Sequence, residues 1–261
     1  MEKSITRAVS RRLNDLFTYA GATSLLLIKT VFWAFTPPFK IRQILLQMQK
    51  VGVESLPIVF LTSFFTGMVL ALQSAYQMQR ISAQIYIASL VALSMTRELG
   101  PVLTGLVVAG RVGASITAEL GTMKVTEQID ALETLAANPI KYLVVPRFMA
   151  LLIMLPLLTL YADCIGIFGG YIIGVFKLHL SPSIYMNMTI NPLQLKDVFT
   201  GLFKSAIFAA IIVIIGCYEG FRTEGGAEGV GRSTTVSVVT AFILIIAADC
   251  LFTALFYFIG R

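Results

Sequence analysis

The feature that most limits what this chain can fold into is a series of apolar runs. Several of them reach or exceed the about 20 residues that a helix needs to cross a bilayer. Hydrophobic residues make up 57% of the chain and charged residues 13%, so there are too few polar side chains to cover a soluble core. The sequence therefore predicts an all-α integral membrane protein with several spans.

The first 50 residues differ from the rest because polar side chains interrupt their apolar stretches. Residues 13–36 place their apolar side chains on one side of a helix, which suits a helix in the membrane interface better than a clean span. Its apolar side carries Leu13, Phe17, Ala20, Leu27, Ile28, Val31 and Phe35. The Pro-Pro pair at 37–38 ends this helix, and residues 39–50 form a second amphipathic piece predicted to lie on the membrane surface. We therefore expect N-terminal interfacial helices over 1–50 and a transmembrane domain over 51–261.

Five predicted spans follow, at about 52–76, 87–118, 146–176, 197–218 and 234–260. The second is longer than a bilayer requires, so it must tilt, protrude or break. Gly100-Pro101 is the expected break, because Pro101 cannot donate a hydrogen bond to the carbonyl of Arg97 and crowds it. Such a break is tolerated within a membrane only where protein or a cavity satisfies the freed groups.

Two ladders of small residues predict close helix packing. The first repeats every four residues and comprises Gly105, Ala109, Gly113, Thr117 and Gly121. The second, in the third span, comprises Gly166, Gly170 and Gly174. On a helix each ladder makes one smooth stripe, which lets a neighbouring backbone approach closely within lipid.

The distribution of Lys and Arg among the connections predicts the orientation. Residues 1–50, 119–147 and 219–233 carry thirteen basic residues, and the connections on the opposite side carry four, Arg80, Lys177, Lys196 and Arg261. The positive-inside rule then places the N-terminus in the cytoplasm and the C-terminus on the far side of the membrane. The net charge of +6 reflects this bias, and no nucleic-acid partner is expected.

Four charged residues lie inside three of the predicted spans: Arg97, Glu98, Lys204 and Asp249. A charge at this depth is costly, so each should face a partner or a wet cavity. Two acids and two bases permit complete pairing, and Arg97 and Glu98 should reach different partners because neighbours on a helix point about 100° apart. Two interpretations stay open: a network that holds or gates a polar head group, and structural pairing between helices.

The segment 124–137 is predicted to be an amphipathic helix between the second and third spans. Val125, Ile129, Leu132 and Ala136 fall on one side, and the acids Glu127, Asp130 and Glu133 on the other. Such a helix could dock in a groove of a cytosolic subunit or serve as a solvated connector.

Other motifs offer little chemistry. Residues 226–233, GAEGVGRS, are close to a phosphate-binding loop but carry Arg232 in place of Lys and lie between spans, so we expect a flexible polar loop. No catalytic residue and no metal ligand set is predicted.

Three stretches together carry a resemblance: RELGP at 97–101, AGRVGASITAELG at 109–121 and EQIDALE at 127–133, with Asn138-Pro139 after them. Over about residues 45–260 the chain resembles the MlaE (YrbE-type) permeases of ABC transporters that work with MCE-domain lipid-binding proteins. The resemblance implies five membrane helices after an interfacial segment and a homodimeric lipid pathway. It implies that Arg97, Glu98, Lys204 and Asp249 are the charged positions of that pathway.

The resemblance also implies the partners. Segment 124–137 would be the coupling helix, with Glu127, Gln128, Asp130, Leu132 and Glu133 meeting a cytosolic ATPase that uses the ATP, so this chain needs no cofactor. The expected substrate is a phospholipid exchanged between the bacterial inner membrane and a periplasmic MCE-domain protein, in support of outer-membrane lipid asymmetry. A small cytosolic STAS-domain subunit is a further expected partner.

Two other classes compete with a permease. A stand-alone secondary transporter or channel would use the intramembrane charges to carry protons or ions. An odd number of spans without evident internal repeats argues against the inverted-repeat form of such a transporter. A membrane enzyme of lipid metabolism is disfavoured because no catalytic cluster is present.

Overall fold

The structure, a computed structural model, describes residues 2–38, 40–79 and 83–259, and every regular element in these ranges is helical. The α-helices are α1 (Glu2–Ala34), α2 (Ile41–Val51), α3 (Leu56–Gln79), α4 (Ile87–Ser94), α5 (Gly100–Val108), α6 (Ala114–Val125), α7 (Gln128–Thr134), α8 (Val145–Ile172), α9 (Pro182–Ile190), α10 (Leu195–Phe221) and α11 (Gly226–Ile259). Short π-helical turns (Met95–Leu99, Ala109–Gly113, Ile140–Val144 and Ile173–Lys177) join or extend several of them. Arg80 and Arg261, which enter the count of basic residues, lie outside the described residues.

Six helical stretches in the described part of the chain are long and apolar enough to cross a membrane. Five contain the predicted spans, and the sixth is Phe17–Ala34 in α1. The prediction of an all-α membrane protein is therefore confirmed.

Helix α1 turns much of its predicted apolar stripe away from the bundle. Phe17, Ile28 and Phe35 are 74%, 63% and 80% exposed. The buried side chains in the described part of α1 are instead Leu26, Thr30 and Ala34, each one helical turn from the next. The stripe is thus available to lipid.

Helix α2 packs along α8. Lys40, just before α2, places its ammonium 3.4 Å from the centre of the Tyr142 ring, and Gly52, just after it, packs against Met154. The two helices thus run side by side over about three turns. The surface position predicted for residues 39–50 stays a prediction. Ile41, Leu45 and Leu46 are 57–64% exposed, so much of the apolar side of α2 faces away from the bundle.

The second span stays helical through Gly100-Pro101, so the predicted break is wrong. The chain widens into the π-helical turn Met95–Leu99 directly before Gly100. A π-turn shifts the hydrogen-bond register by one residue, which accommodates a proline that lacks an N–H. The carbonyl of Arg97, freed by Pro101, accepts a hydrogen bond of 3.2 Å from Lys204 Nζ. The protein therefore satisfies this group, as the membrane interior requires.

The first ladder of small residues faces α10. A Cβ added at Gly113 would lie 3.3 Å from Ile212 Cγ2, and one at Gly105 would lie 3.2 Å from Phe208 Cδ2. Thr117 is fully buried and donates to the carbonyl of Gly216 at 3.1 Å. Gly105, Gly113 and Thr117 of the predicted stripe thus pack against α10 and hold the second span there.

The second ladder packs α8 against α3 and α9. Gly166 lies directly on Gly67 of α3, where neither position has room for a Cβ. Gly174 lies under the ring of Tyr185, which is 2% exposed. This part of the packing prediction is also confirmed.

Residues 226–233 form the first turns of α11, so the predicted flexible loop is wrong. Helix α11 begins at Gly226, and only residues 222–225 separate it from α10. Gly225 and Gly226 have φ of +85° and +71°, values that glycine adopts at little cost, and they reverse the chain.

We predict that Gly113→Leu lowers the stability of the folded bundle. A branched side chain cannot enter the contact with Ile212, and overpacking of this kind typically costs about 1–3 kcal/mol. Thermal unfolding of the purified protein in detergent measures the loss. The control is Gly231→Leu in α11, where an added Cβ has nothing within 4 Å. Equal unfolding temperatures for the two variants would contradict the packing assignment.

Candidate functional site

Lys204 of α10 is the centre of a buried polar cluster. The residue is 2% exposed, and its ammonium donates three hydrogen bonds. The acceptors are Glu98 Oε2 at 2.8 Å, Thr253 Oγ1 at 2.7 Å and the carbonyl of Arg97 at 3.2 Å. All three donors of the ammonium are thereby used.

Asp249 joins the same cluster by charge. Its Oδ1 lies 2.9 Å from Lys204 Nζ but accepts no hydrogen bond there. Thr253, one turn further along α11, donates to Glu98 at 3.0 Å. The network therefore ties α10 and α11 to the π-helical turn that carries Glu98.

Arg97 pairs outside the predicted set of four. Its Nε donates to Asp197 Oδ1 at 2.8 Å, and a terminal nitrogen lies 2.7 Å from the same oxygen. Asp197 also accepts from the backbone N–H of Gln194 and so caps the start of α10. Arg97 and Glu98 do reach different partners, as predicted, but complete pairing within the four residues is wrong. Sequence reasoning missed Asp197 because it sits at a helix start, where an acid is an ordinary cap.

A cavity of about 420 Å³ opens beside these ion pairs. Arg97, Glu98 and Lys196 contribute charge to its lining, and Phe256 and Tyr257 of α11 contribute aromatic rings. The side chain of Arg97 is 53% exposed, whereas that of Lys204 is 2% exposed. The site thus combines a buried, fully paired cation with an accessible one beside an apolar surface.

The segment between the second and third spans is shorter than predicted. Lys124 and Val125 complete α6, and the turn at Thr126 and Glu127 separates them from α7. Ile129 is buried, Leu132 is half-buried, and the acids Glu127, Asp130 and Glu133 are exposed. Leu135, just after α7, is 78% exposed. Ile129 and Leu132 of the predicted apolar side face the bundle, whereas Val125 and Ala136 are exposed. The helix has seven residues in place of one spanning 124–137.

Comparison with known proteins identifies the group to which this bundle belongs. The sequence model of a family described as Permease MlaE matches residues 44–255, which include both the charged cluster and α7. The chain belongs to the MlaE permease family.

Relatives of this permease are found in bacteria and in a plant. It is 48% identical over 254 residues to a probable ABC transporter permease protein of Rickettsia felis, covering 97% of this chain and 98% of that protein. It is 34% identical over 258 residues to the intermembrane phospholipid transport system permease protein MlaE of Haemophilus influenzae, covering 97% of each. It is 39% identical over 216 residues to the chloroplastic protein TRIGALACTOSYLDIACYLGLYCEROL 1 of Arabidopsis thaliana, covering 83% of this chain and 62% of that protein. The chain is therefore an ABC transporter permease, and the stand-alone secondary transporter loses its support.

We predict that Lys204→Met strongly destabilises this permease. Glu98 and Asp249 would face each other without a cation, and breaking a buried pair typically costs about 3–5 kcal/mol. The triple variant Lys204→Met, Glu98→Gln, Asp249→Asn removes the orphan charges and should recover most of the unfolding temperature.

Thermal unfolding and membrane yield measure both effects. Lys196→Met, at an exposed lysine of the same cavity, is the control and should change stability by less than about 0.5 kcal/mol. A harmless Lys204→Met would show that the ammonium is not needed by its neighbours.

Proposed function

We propose that this permease moves phospholipids between the bacterial inner membrane and a periplasmic MCE-domain protein, and so supports outer-membrane lipid asymmetry. The observation that carries the proposal is the cavity beside Lys204, which places charged side chains opposite aromatic ones. A phospholipid has the same division between a charged head group and apolar chains. The Haemophilus influenzae relative is named as an intermembrane phospholipid transport permease, which supports the same substrate class.

Within this proposal the charged residues have separate roles. Lys204 is already fully hydrogen-bonded, so it holds the helices in place. Arg97 has half of its side chain exposed and a planar guanidinium suited to phosphate, so it meets the head group. Asp197 holds Arg97 in position through their hydrogen-bonded ion pair. Glu98 and Asp249 pair with Lys204 and complete the network beside the pathway.

Two copies of the chain are proposed to form the pathway together. Helix α11 offers the apolar surface for this contact, because only 11% of its span is buried within the bundle. Ile243, Ile246 and Leu251 are 56–62% exposed along it. A second copy seated there would enclose the cavity that Phe256 and Tyr257 border.

The partner on the cytosolic side is proposed to be a separate ATPase subunit, which binds and hydrolyses the ATP. Helix α7 and the residues before it present Glu127, Gln128, Asp130 and Glu133 to solvent. A cavity of about 560 Å³ beside α7 is lined by Leu26, Ile129 and Phe221, and it could receive an apolar side chain of that subunit. A small STAS-domain protein remains a proposed cytosolic partner.

The topology follows from the same proposal. With α7 in the cytoplasm, the N-terminus is cytoplasmic, the C-terminus is periplasmic, and the protein is a multi-pass protein of the inner membrane. We keep α1 as an interfacial helix, since its exposed apolar stripe would meet lipid. The proposed transmembrane domain, residues 51–261, would then begin at the last residue of α2, and residues 1–50 would form the N-terminal interfacial helices.

Reversing the charges Glu127→Lys and Asp130→Lys should reduce recovery of the ATPase with the purified permease. Both carboxylates are exposed, and Asp130 would also become a like charge beside Lys124, which now lies 2.8 Å from it. Co-purification and ATP turnover are the measurements, with Glu228→Lys, an exposed acid before the last span, as the control. Wild-type recovery and turnover in the double variant would make α7 a plain connector.

Lipid transport in proteoliposomes tests the role of the cavity. Arg97→Gln should reduce transfer of labelled phospholipid to the MCE-domain protein by about tenfold or more, the usual loss for one hydrogen bond to a charged group. The permease should still assemble with its ATPase, since the Lys204 cluster stays intact. The control is Lys177→Gln, at an exposed lysine outside the cavity. Normal transfer by Arg97→Gln together with lost transfer by Lys177→Gln would contradict the proposed pathway.

A further inference from the structure

A second polar pocket lies between α2, the turn after it, and α6. It has a volume of about 250 Å³. Its polar lining consists of Gln47, Lys50, Glu54, Arg111, Ser115 and Glu119. Val51, Val112 and Ile116 complete the wall. None of these residues belongs to the Lys204 site.

Arg111 holds the pocket together at the joint between α2 and α3. Its guanidinium donates to Ser55 Oγ at 2.8 Å and to the carbonyl of Lys50 at 3.3 Å. A second terminal nitrogen donates to Glu54 Oε2 at 2.7 Å. These contacts make Arg111 part of the framework of the pocket.

Lys50, in contrast, can leave its partner without exposing an unpaired charge. Its ammonium lies 3.2 Å from Glu119 Oε2, and this is its one ion pair in the described part of the chain. The other oxygen of Glu119 lies 3.1 Å from a nitrogen of Arg147, whose side chain is 5% exposed. Because the buried Arg147 keeps Glu119 neutralised, Lys50 is free to bind another anion.

The charged side chains of the pocket are open to their surroundings. The side chains of Lys50, Glu54 and Arg111 are 47%, 53% and 31% exposed, and all three lie in helical stretches that are long and apolar enough to cross a membrane. Charges in such stretches are costly in hydrocarbon and favour contact with water or a polar ligand.

Two further side chains in the pocket have polar groups without a protein partner. Gln47 and Ser115 make no side-chain hydrogen bond to any other described residue. Ser115 is exposed and Gln47 half-buried, so their hydroxyl and amide are accessible to hydrogen-bond an occupant of the pocket.

We propose that this pocket is a second head-group site, which binds the zwitterionic head group of a phosphatidylethanolamine-like phospholipid. Lys50 binds the phosphate, and Glu54, four residues further on, binds the ammonium. The charges of Lys50, Arg111, Glu54 and Glu119 sum to zero, which matches a head group without net charge. This inference rests on the proposed function and adds a binding step on the α7 side of the Lys204 cavity, about 20 Å from Arg97 along the helix.

Photo-crosslinking tests the site without requiring transport. A diazirine side chain replaces Ser115 in the full-length permease, held with its ATPase in nanodiscs of equimolar phosphatidylethanolamine and phosphatidylglycerol. Mass spectrometry reports which lipid is attached. The same probe in place of Val69, which is 59% exposed on α3, reports the bulk lipid ratio. Glycerophosphoethanolamine, the head group without acyl chains, is added as a competitor to separate head-group binding from lipid binding.

We expect phosphatidylethanolamine to be enriched at position 115 over position 69. Glu54→Gln should abolish this enrichment, and Lys50→Gln should lower capture of both lipids by about tenfold. The control is Arg42→Gln, at an exposed arginine of α2 outside the pocket, which should change neither the enrichment nor the total capture. Loss of the enrichment on adding glycerophosphoethanolamine would support a head-group site. Capture at the bulk ratio, capture of a second copy of the chain, no lipid capture, or enrichment that the free head group leaves unchanged would each overturn the second site. Transport measured on the same unmodified permease separates the two hypotheses. If position 115 captures the two lipids at the bulk ratio while transport is intact, only the second site is contradicted. If transport is absent while phosphatidylethanolamine is enriched at position 115, only the proposed function is contradicted.

Discussion

The buried ammonium of Lys204 is the interaction on which the centre of this bundle depends. Within a bilayer no water is available to satisfy a charge or a free carbonyl. Lys204 meets both needs at once, because it neutralises Glu98 and Asp249 and hydrogen-bonds the carbonyl that Pro101 frees. The π-helical turn at Met95–Leu99 and the charge cluster thus together accommodate Pro101 and satisfy the carbonyl that it frees.

Close packing brings Lys204 within reach of that turn. Gly201, one turn before Lys204 in α10, lies directly on the carbonyl of Thr96, where a Cβ would overlap it. Further along, the ladder from Gly105 to Gly121 keeps the two helices close for their remaining length. Small residues therefore determine helix separation, and helix separation determines whether the ion pairs can form.

Burial separates two kinds of charge in this permease. Lys204 and Arg147 are almost fully buried, and their contacts hold helices together. Arg97 and Lys50 are each paired to one carboxylate yet remain about half exposed beside a cavity. A buried pair is costly to break, whereas an exposed one is worth little and can exchange its partner for a ligand. The buried cations thus suit structural roles, and the open ones suit contact with a head group.

The sequence by itself determined the helical membrane class, the five central spans, both packing stripes and the need of the four intramembrane charges for partners. These features depend on the length of the apolar runs, on the helical period and on the absence of water in a bilayer. Each of these can be judged from one segment of the sequence without knowing its neighbours in space. Only the tertiary structure decided that Arg97 pairs with Asp197, that α2 lies along α8, and that residues 226–233 continue as helix. Pairing depends on which helices are neighbours and how each is rotated about its axis. The glycine-rich start of α11 has a weak helix propensity of its own, but it is helical because it continues into the long helix that follows.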